Sequence, residues 1–367
     1  LRIFVFLYKK FKREVLIVFL LLFAARYLLL EYKVSQIEKA TGIHNLFCEE
    51  NNSIKNTKES VIRIIGTYTE GSGFFIEENL IVTNFHVVPE GLNPKIILPD
   101  YSFAQGTVIL ADKNADLAFI RVDTRQIKNR VTPLKFIDSK ELNPYEKVIS
   151  IGYPMGSDLK GEATAIKGSY VAIRQNKNMG VKMLQTDISM NSGASGGPMI
   201  NNCGKVVAIN TAGLAGLGMG VASEDIQRKR IEIAKKKDPV EEIEKIKFNP
   251  DESPEECVEA FYNYQLVGKL EQAFKLLATE YTNNDNFEHW RDGYKNTLNV
   301  NYYGGIEKKP NEVYFKFSAS DLIGDEVIQR FYEGMMAVKK IDGKYRITEG
   351  NVFEVKNPSY KWFQTEP

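Results

Sequence analysis

Residues 191–198 read NSGASGGP, a serine among small residues that let a backbone turn tightly. A serine hydroxyl attacks a carbonyl only when a neighbouring base takes its proton, so Ser195 needs company. The base should be a histidine, whose ordinary pKa lies near neutrality. The chain has three, His44, His86 and His289, so the candidates are few. His86 stands in LIVTNFHVV, where the polar pair Thr83–Asn84 closes an apolar run. His289, in NFEHWRD, reads as a surface or satisfied helix histidine. A carboxylate must then hold the imidazole tautomer and stabilise the imidazolium. Asp116 opens DLAFIRV, an acid at the edge of a buried strand, which is costly unless something pairs with it. Asp112 competes, but it sits in ADKN, which is turn chemistry. Ser195 as nucleophile, His86 as base and Asp116 as orienting acid form a candidate set for acyl transfer.

Three residues so far apart in sequence need a scaffold. From Val61 to about Ala222 short apolar runs alternate with Gly, Asn, Asp and Pro every 8–12 residues. The runs are VIRIIGTYT, GFFIE, LIVTN, KIILP, GTVILAD, LAFIRV, KVISIGYP, SYVAI, KMLQTD and KVVAINTA. Many short strands with turn punctuation predict an all-β barrel or sandwich over 59–223. Strands on both sides of Ser195 argue against a hydrolase of small esters, which would carry G-x-S-x-G on a strand–helix elbow.

TNFHVV at 83–88, DLAFIRV at 116–122 and GASGGP at 193–198 occur in His–Asp–Ser order. They resemble the motif blocks of the chymotrypsin-fold serine proteases, and GSGFFI at 71–76 with QTD at 185–187 narrows the resemblance to the HtrA/Deg branch. The resemblance covers about 61–223. It implies a mainly β, double six-stranded β-barrel with His86 and Asp116 from the first barrel and Ser195 from the second. It further implies an oxyanion hole at Gly193, Ala194 and Ser195, with the N–H groups of Gly193 and Ser195 as donors. Ala194 departs from the Asn or Asp of many relatives. Ser189 corresponds to the base of the S1 pocket, and Thr211, Ala212, Gly213 and Gly220, within NTAGLAGLGMGVAS, to its wall. A non-acidic base and small apolar walls imply small to medium aliphatic P1 residues. The family implies trimers, a serine loop that often rests out of its active shape, no disulfides, and no metal or organic cofactor.

Ahead of this domain, basic residues at 1–13 precede VLIVFLLLFAARYLLL, Val15–Leu30. Sixteen helical residues reach about 24 Å, slightly short of a bilayer core. Residues 14–32 are thus expected to be a transmembrane anchor, with the N-terminus cytoplasmic and the catalytic domain outside. A cleaved signal peptide is the rival reading. No apolar run directly precedes Cys48, so it is not a lipid-attachment site. Residues 33–58 read as a polar linker and 224–250 as a charged, helical one broken at Asp238–Pro239.

Residues 251–367 start with SPEE, in which Ser253 reads as N-cap, Pro254 as the first helical residue and Glu256 as the close of a capping box. A helical pattern broken at Gly268 follows, then NFEHWRD, then four long strand patterns. Helices before strands indicate α+β. This order resembles the NTF2-like cone, which holds a pocket or dimerises, rather than a PDZ domain. Its aromatics, Phe261, Tyr262, Tyr264, Trp290, Tyr302, Tyr303, Phe315 and Phe317, read as core.

The 48 basic and 47 acidic residues leave a formal charge of +1, which gives no case for a nucleic-acid binder held by phosphate contacts. Three scattered cysteines without a C-x-x-C pair indicate neither a zinc site nor a disulfide framework. The expected activity is a membrane-anchored serine endopeptidase acting on polypeptide. The alternative is a catalytically inactive scaffold on a protease fold, working through its C-terminal domain.

Overall fold

The computed structural model describes residues 22–33, 48–67, 69–89, 91–154, 161–214, 216–235, 249–324 and 326–367. The chain divides into a unit of residues 1–50 and one of residues 51–367. In the first, residues 22–33 form a helix, α1, whose Leu22, Phe23, Leu28, Leu29 and Leu30 are all exposed. Among the described residues no helix is long and apolar enough to cross a membrane. The first part of the expected anchor, 14–21, lies outside the described residues, and 22–32 belong to α1. Helix α2, Glu50–Lys58, occupies the end of the stretch that reads as a linker.

Two closed barrels follow. The first contains β1 (Val61–Ile65), β2 (Glu70–Glu77), β3 (Leu80–Thr83), β4 (Lys95–Ile97), β5 (Phe103–Asp112) and β6 (Leu117–Val122), in the order β1-β2-β3-β6-β5-β4. The second contains β7 (Lys147–Gly152), β8 (Thr164–Asn176), β9 (Val181–Thr186), β10 (Pro198–Ile200), β11 (Val206–Leu214) and β12 (Leu217–Ala222), in the order β10-β11-β12-β9-β8-β7. All the pairings are antiparallel, as hairpin connections require. Eleven of the twelve strands have three to ten residues and β8 has 13, and buried Val, Ile, Leu and Phe fill the interiors. Phe74 and Phe119 of the first barrel share one buried cluster with Ile149, Ile151 and Ile200 of the second, so an apolar seam joins the two. Strand β10 has three residues, too few to show a period in sequence. Helix α3, Ser223–Lys235, runs back from the second barrel, and its Lys229 pairs with Asp112 of the first. The break expected at Asp238–Pro239 lies outside the described residues.

The C-terminal domain is α+β. Ser253 caps α4 (Pro254–Leu266), its hydroxyl accepting from the Glu256 N–H at 3.2 Å. Gly268 breaks the helical run with φ +75° before α5 (Leu270–Phe274). Short helices α6 (Thr279–Thr282) and α7 (Phe287–Asp292) lead into a four-stranded antiparallel sheet of β13 (Thr297–Lys309), β14 (Glu312–Ile323), β15 (Glu326–Ile341) and β16 (Lys344–Val355). Phe261, Tyr262 and Phe315 are buried between helices and sheet, with Tyr264, Trp290, Tyr302 and Phe317 packed against them. Tyr303 instead meets Trp362 and Phe363. The domain rests on the first barrel. Leu298 and Leu322 bury against Ile65 and Ile97, Asn299 donates to the Thr67 carbonyl at 3.2 Å, and Asn93 donates to that of Val267 at 3.3 Å.

The cysteine reading requires correction. Cys48 and Cys203 are disulfide-bonded, and Cys257 is a free, buried thiol. An odd count and wide spacing in sequence do not decide whether a cysteine is oxidised.

Candidate active site

Strand β3 ends at Thr83 and the chain turns into a single 3₁₀ turn, Phe85–Val87, that carries His86. Asp116 follows the β5–β6 turn and directly precedes β6, which pairs with β3. This pairing places the two residues side by side. The Asp116 carboxylate meets His86 Nδ1 at 2.9 and 3.0 Å and accepts the His86 backbone N–H at 3.1 Å. The Asp116 side chain is 15% exposed and that of His86 48%, so the pair is anchored in the protein with its imidazole open to solvent. Asp116 adopts φ +52°, the left-handed region that a non-glycine residue rarely enters. Asp112 is occupied elsewhere. Burial works to raise its pKa, but hydrogen bonds from Lys229 and the Ala115 N–H, with the Lys229 charge, hold it below the ordinary carboxylate value.

Ser195 lies on the loop between β9 and β10, and the loop is held from both barrels. Ser72 of β2 donates its hydroxyl to the Gly193 carbonyl at 2.7 Å, and its N–H donates to the Ser195 carbonyl at 2.7 Å. Asn210 of β11 donates to the carbonyls of Ile151 and Ala194, both at 3.2 Å. The loop passes so close that a methyl on Gly196 would collide with the Ser72 carbonyl and one on Gly197 with that of Ile151. Among the described residues the N–H groups of Gly193 and Ser195 make no hydrogen bond, whereas that of Ala194 donates to Asn191 at 3.2 Å. The Ser195 hydroxyl donates to the Thr211 carbonyl at 3.3 Å, and among the described residues no hydrogen bond joins it to His86.

Of the residues expected in the S1 pocket, Thr211, Ala212 and Gly213 lie on β11 and Gly220 on β12. Thr211 is 9% exposed, and Ser189, on the coil after β9, is exposed. A side chain at Gly220 would point at Met199 and Ala208. The walls instead meet Met190. A Cβ on Gly213 would lie 3.1 Å from the Met190 carbonyl oxygen, and one on Gly218 2.9 Å from its Cε.

Ser72, Asn84 and Asn210 lie inside the quoted motifs without a role of their own there, and Met190 lies outside them; all four are structural parts of the site. Ser72 and Asn210 had a faint signal as polar residues inside apolar strand patterns. Met190, beside Ser189, had none. Among the described residues no cluster of His, Cys, Asp and Glu could hold a metal.

Two closed barrels thus share an apolar seam, the first carrying an imidazole–carboxylate pair and the second a glycine-braced serine. Residues 71–209 match the family model of the trypsin-like peptidase domain. The chain is 30% identical over 200 residues to the serine protease Do-like HtrA of Bacillus subtilis, covering 51% of this chain and 44% of that protein. It is 37% identical over 159 residues to a probable periplasmic serine endoprotease, DegP-like, of Rickettsia conorii, covering 41% of this chain and 30% of that protein. It therefore spans less than half the length of these curated relatives. A solved HtrA-type protease, AlgW with tripeptide, superposes with a TM-score of 0.46 at 24% identity, over 51% of this chain and 64% of that one.

Proposed function

We propose that the chain is a serine endopeptidase of the HtrA/Deg kind. Ser195 attacks the scissile carbonyl, His86 Nε2 takes the hydroxyl proton and returns it to the leaving amine, and Asp116 holds the imidazole and stabilises its cation. The N–H groups of Gly193 and Ser195 receive the oxyanion. The observation that carries this reading is the Asp116–His86 pair, with a solvent-open imidazole, at the seam that also carries Ser195. The Ser195–Thr211 bond describes a resting hydroxyl, which must leave that carbonyl to give its proton to the imidazole.

Unfolded or exposed polypeptide is the substrate class, with small to medium aliphatic P1 residues facing Ser189, Thr211, Ala212, Gly213 and Gly220, and with Met190 beside them. We place the catalytic domain outside the cytoplasm, in protein quality control or regulated proteolysis, behind an anchor at 14–32. Disulfide-bonded cysteines favour an oxidising compartment, and a relative described as periplasmic agrees. The C-terminal domain is read as NTF2-like, on the strength of its helices-then-sheet order, and trimers are carried over from the family resemblance.

The test is cleavage of an unfolded protein and of fluorogenic peptides by the full chain. Cleavage by the wild type and none by a folded Ser195→Ala variant is expected. Equal rates would overturn the assignment, and cleavage by neither would favour the inactive scaffold.

A further inference from the structure

Asn84 is fully buried where the two barrels meet, two residues before His86. Its Nδ2 donates to the Asp116 carbonyl at 2.9 Å and to Thr211 Oγ1 at 3.0 Å. The amide can face only one way. The Asp116 carbonyl is solely an acceptor, and Thr211 Oγ1 spends its own proton on the Ile209 carbonyl at 3.3 Å, so both sites need a donor. The opposite end, Oδ1, is buried without a partner among the described residues. Among side chains of this size, only asparagine offers two N–H donors on one atom.

Its place in the chain and its two bonds touch three parts of the site. Asn84 leads into the turn that carries His86. Its first bond holds the backbone of Asp116, the residue at φ +52°, whose orientation aims the carboxylate at His86 Nδ1. Its second reaches across the seam to Thr211, whose carbonyl receives the Ser195 hydroxyl. The left-handed conformation costs even an aspartate some free energy, and the Asn84 bond to its carbonyl is one contact that holds it there.

We propose that Asn84 is a positioning residue of the peptidase site, which holds the Asp116 backbone in the conformation that orients His86 and ties that arrangement to the strand bearing Thr211. The proposal rests on the peptidase reading. Asn84 touches no reacting atom and acts through Asp116.

The experiment is a double-mutant cycle on the full chain, measuring kcat and KM for one fluorogenic peptide in the wild type, Asn84→Ala, Asp116→Ala, the double variant and Ser195→Ala. Misplacing a catalytic group by about 1 Å can cost about 100-fold, so Asn84→Ala should lower kcat by about 10- to 100-fold with KM within about threefold. In the Asp116→Ala background the same change should cost less than about threefold, because the group it positions is gone. A kcat for Asn84→Ala within about threefold of wild type, or an equal loss in both backgrounds, would overturn the proposal. Asn84→Asp keeps the side-chain volume while removing the donors. It is run in parallel, with circular dichroism to establish folding, and carries the same two outcomes if the alanine variant does not fold. Cleavage that survives Ser195→Ala would sink the peptidase reading and this proposal with it. Cleavage lost in Ser195→Ala but untouched in the Asn84 variants would sink this proposal alone.

Discussion

Asp116 grips His86 at two points, its carboxylate meeting Nδ1 at 2.9 Å and the backbone N–H at 3.1 Å. The double contact fixes both the tautomer, with the proton on Nδ1, and the position of the turn that carries the ring. Among the described residues Nε2 makes no hydrogen bond. An amide at 116 can keep the geometry but presents a donor where an acceptor is needed. Asp116→Asn is therefore expected to lower kcat by about 10⁴-fold, with KM changed by less than about threefold. Steady-state kinetics on a fluorogenic peptide reads this directly, and a loss confined to KM would contradict it.

Met190 packs against the backbone of Gly213 and Gly218 on the two strands expected to wall the P1 site. Removing its thioether should deepen that site. Met190→Ala is expected to raise kcat/KM for Phe at P1 relative to Val by about 10-fold, the scale set by a few methylenes of pocket space. Competition between two peptides differing only at P1 measures the ratio. An unchanged ratio would place Met190 outside the pocket.

The chain has three cysteines, of which Cys48 and Cys203 are disulfide-bonded. Cys257 is buried, and desolvation pushes its thiol up to about 12, so little thiolate exists at neutral pH. A thiol-reactive dye added without reductant should label almost none of the native protein and one thiol per chain after unfolding. Rapid labelling of the folded protein would contradict the assignment.

Lys95 lies in the first barrel, with its ammonium 5.5 Å over the Phe103 ring, close to the residues that meet the C-terminal domain. Desolvation pulls its pKa down to about 8. The folded state thus releases this proton near pH 8 and the unfolded chain near the ordinary lysine value, so between them the unfolded state binds more protons. Stability gains a contribution that grows as pH rises from about 8 and levels off above about 10.5. Below pH 8 the charge is buried at full cost. Lys95→Met is expected to stabilise the protein by about 1–2 kcal/mol at pH 7, a range discounted for the solvent the side chain retains, with the gain shrinking by pH 10. Urea unfolding at both pH values checks the sign.

Much of the scaffold was legible because burial leaves a local trace. LAFIRV at 117–122 and KYRITEGNVFEV at 344–355 read as strands and are strands, and Ser253 and Gly268 mark a helix start and a helix break. What stayed hidden is what long-range contact decides. Asn84 looks like a polar residue ending a strand, and only the meeting of two barrels sets it against Thr211, 127 positions away. Ser72 finds Gly193 across 121 positions. Three residues of β10 carry no period, and the seating of Asn299 on Thr67 joins two domains whose facing surfaces have no common sequence signature.

Peptidase activity requires one hydroxyl to become nucleophilic by giving its proton to one imidazole. Reaction of the full chain with a fluorophosphonate, followed by peptide mass mapping, measures that property at a single atom. A covalent adduct on Ser195 that disappears in a folded His86→Ala variant is the predicted result. A wild-type chain that stays unmodified at Ser195 even while bound to a peptide ligand, or that reacts equally without His86, would contradict it.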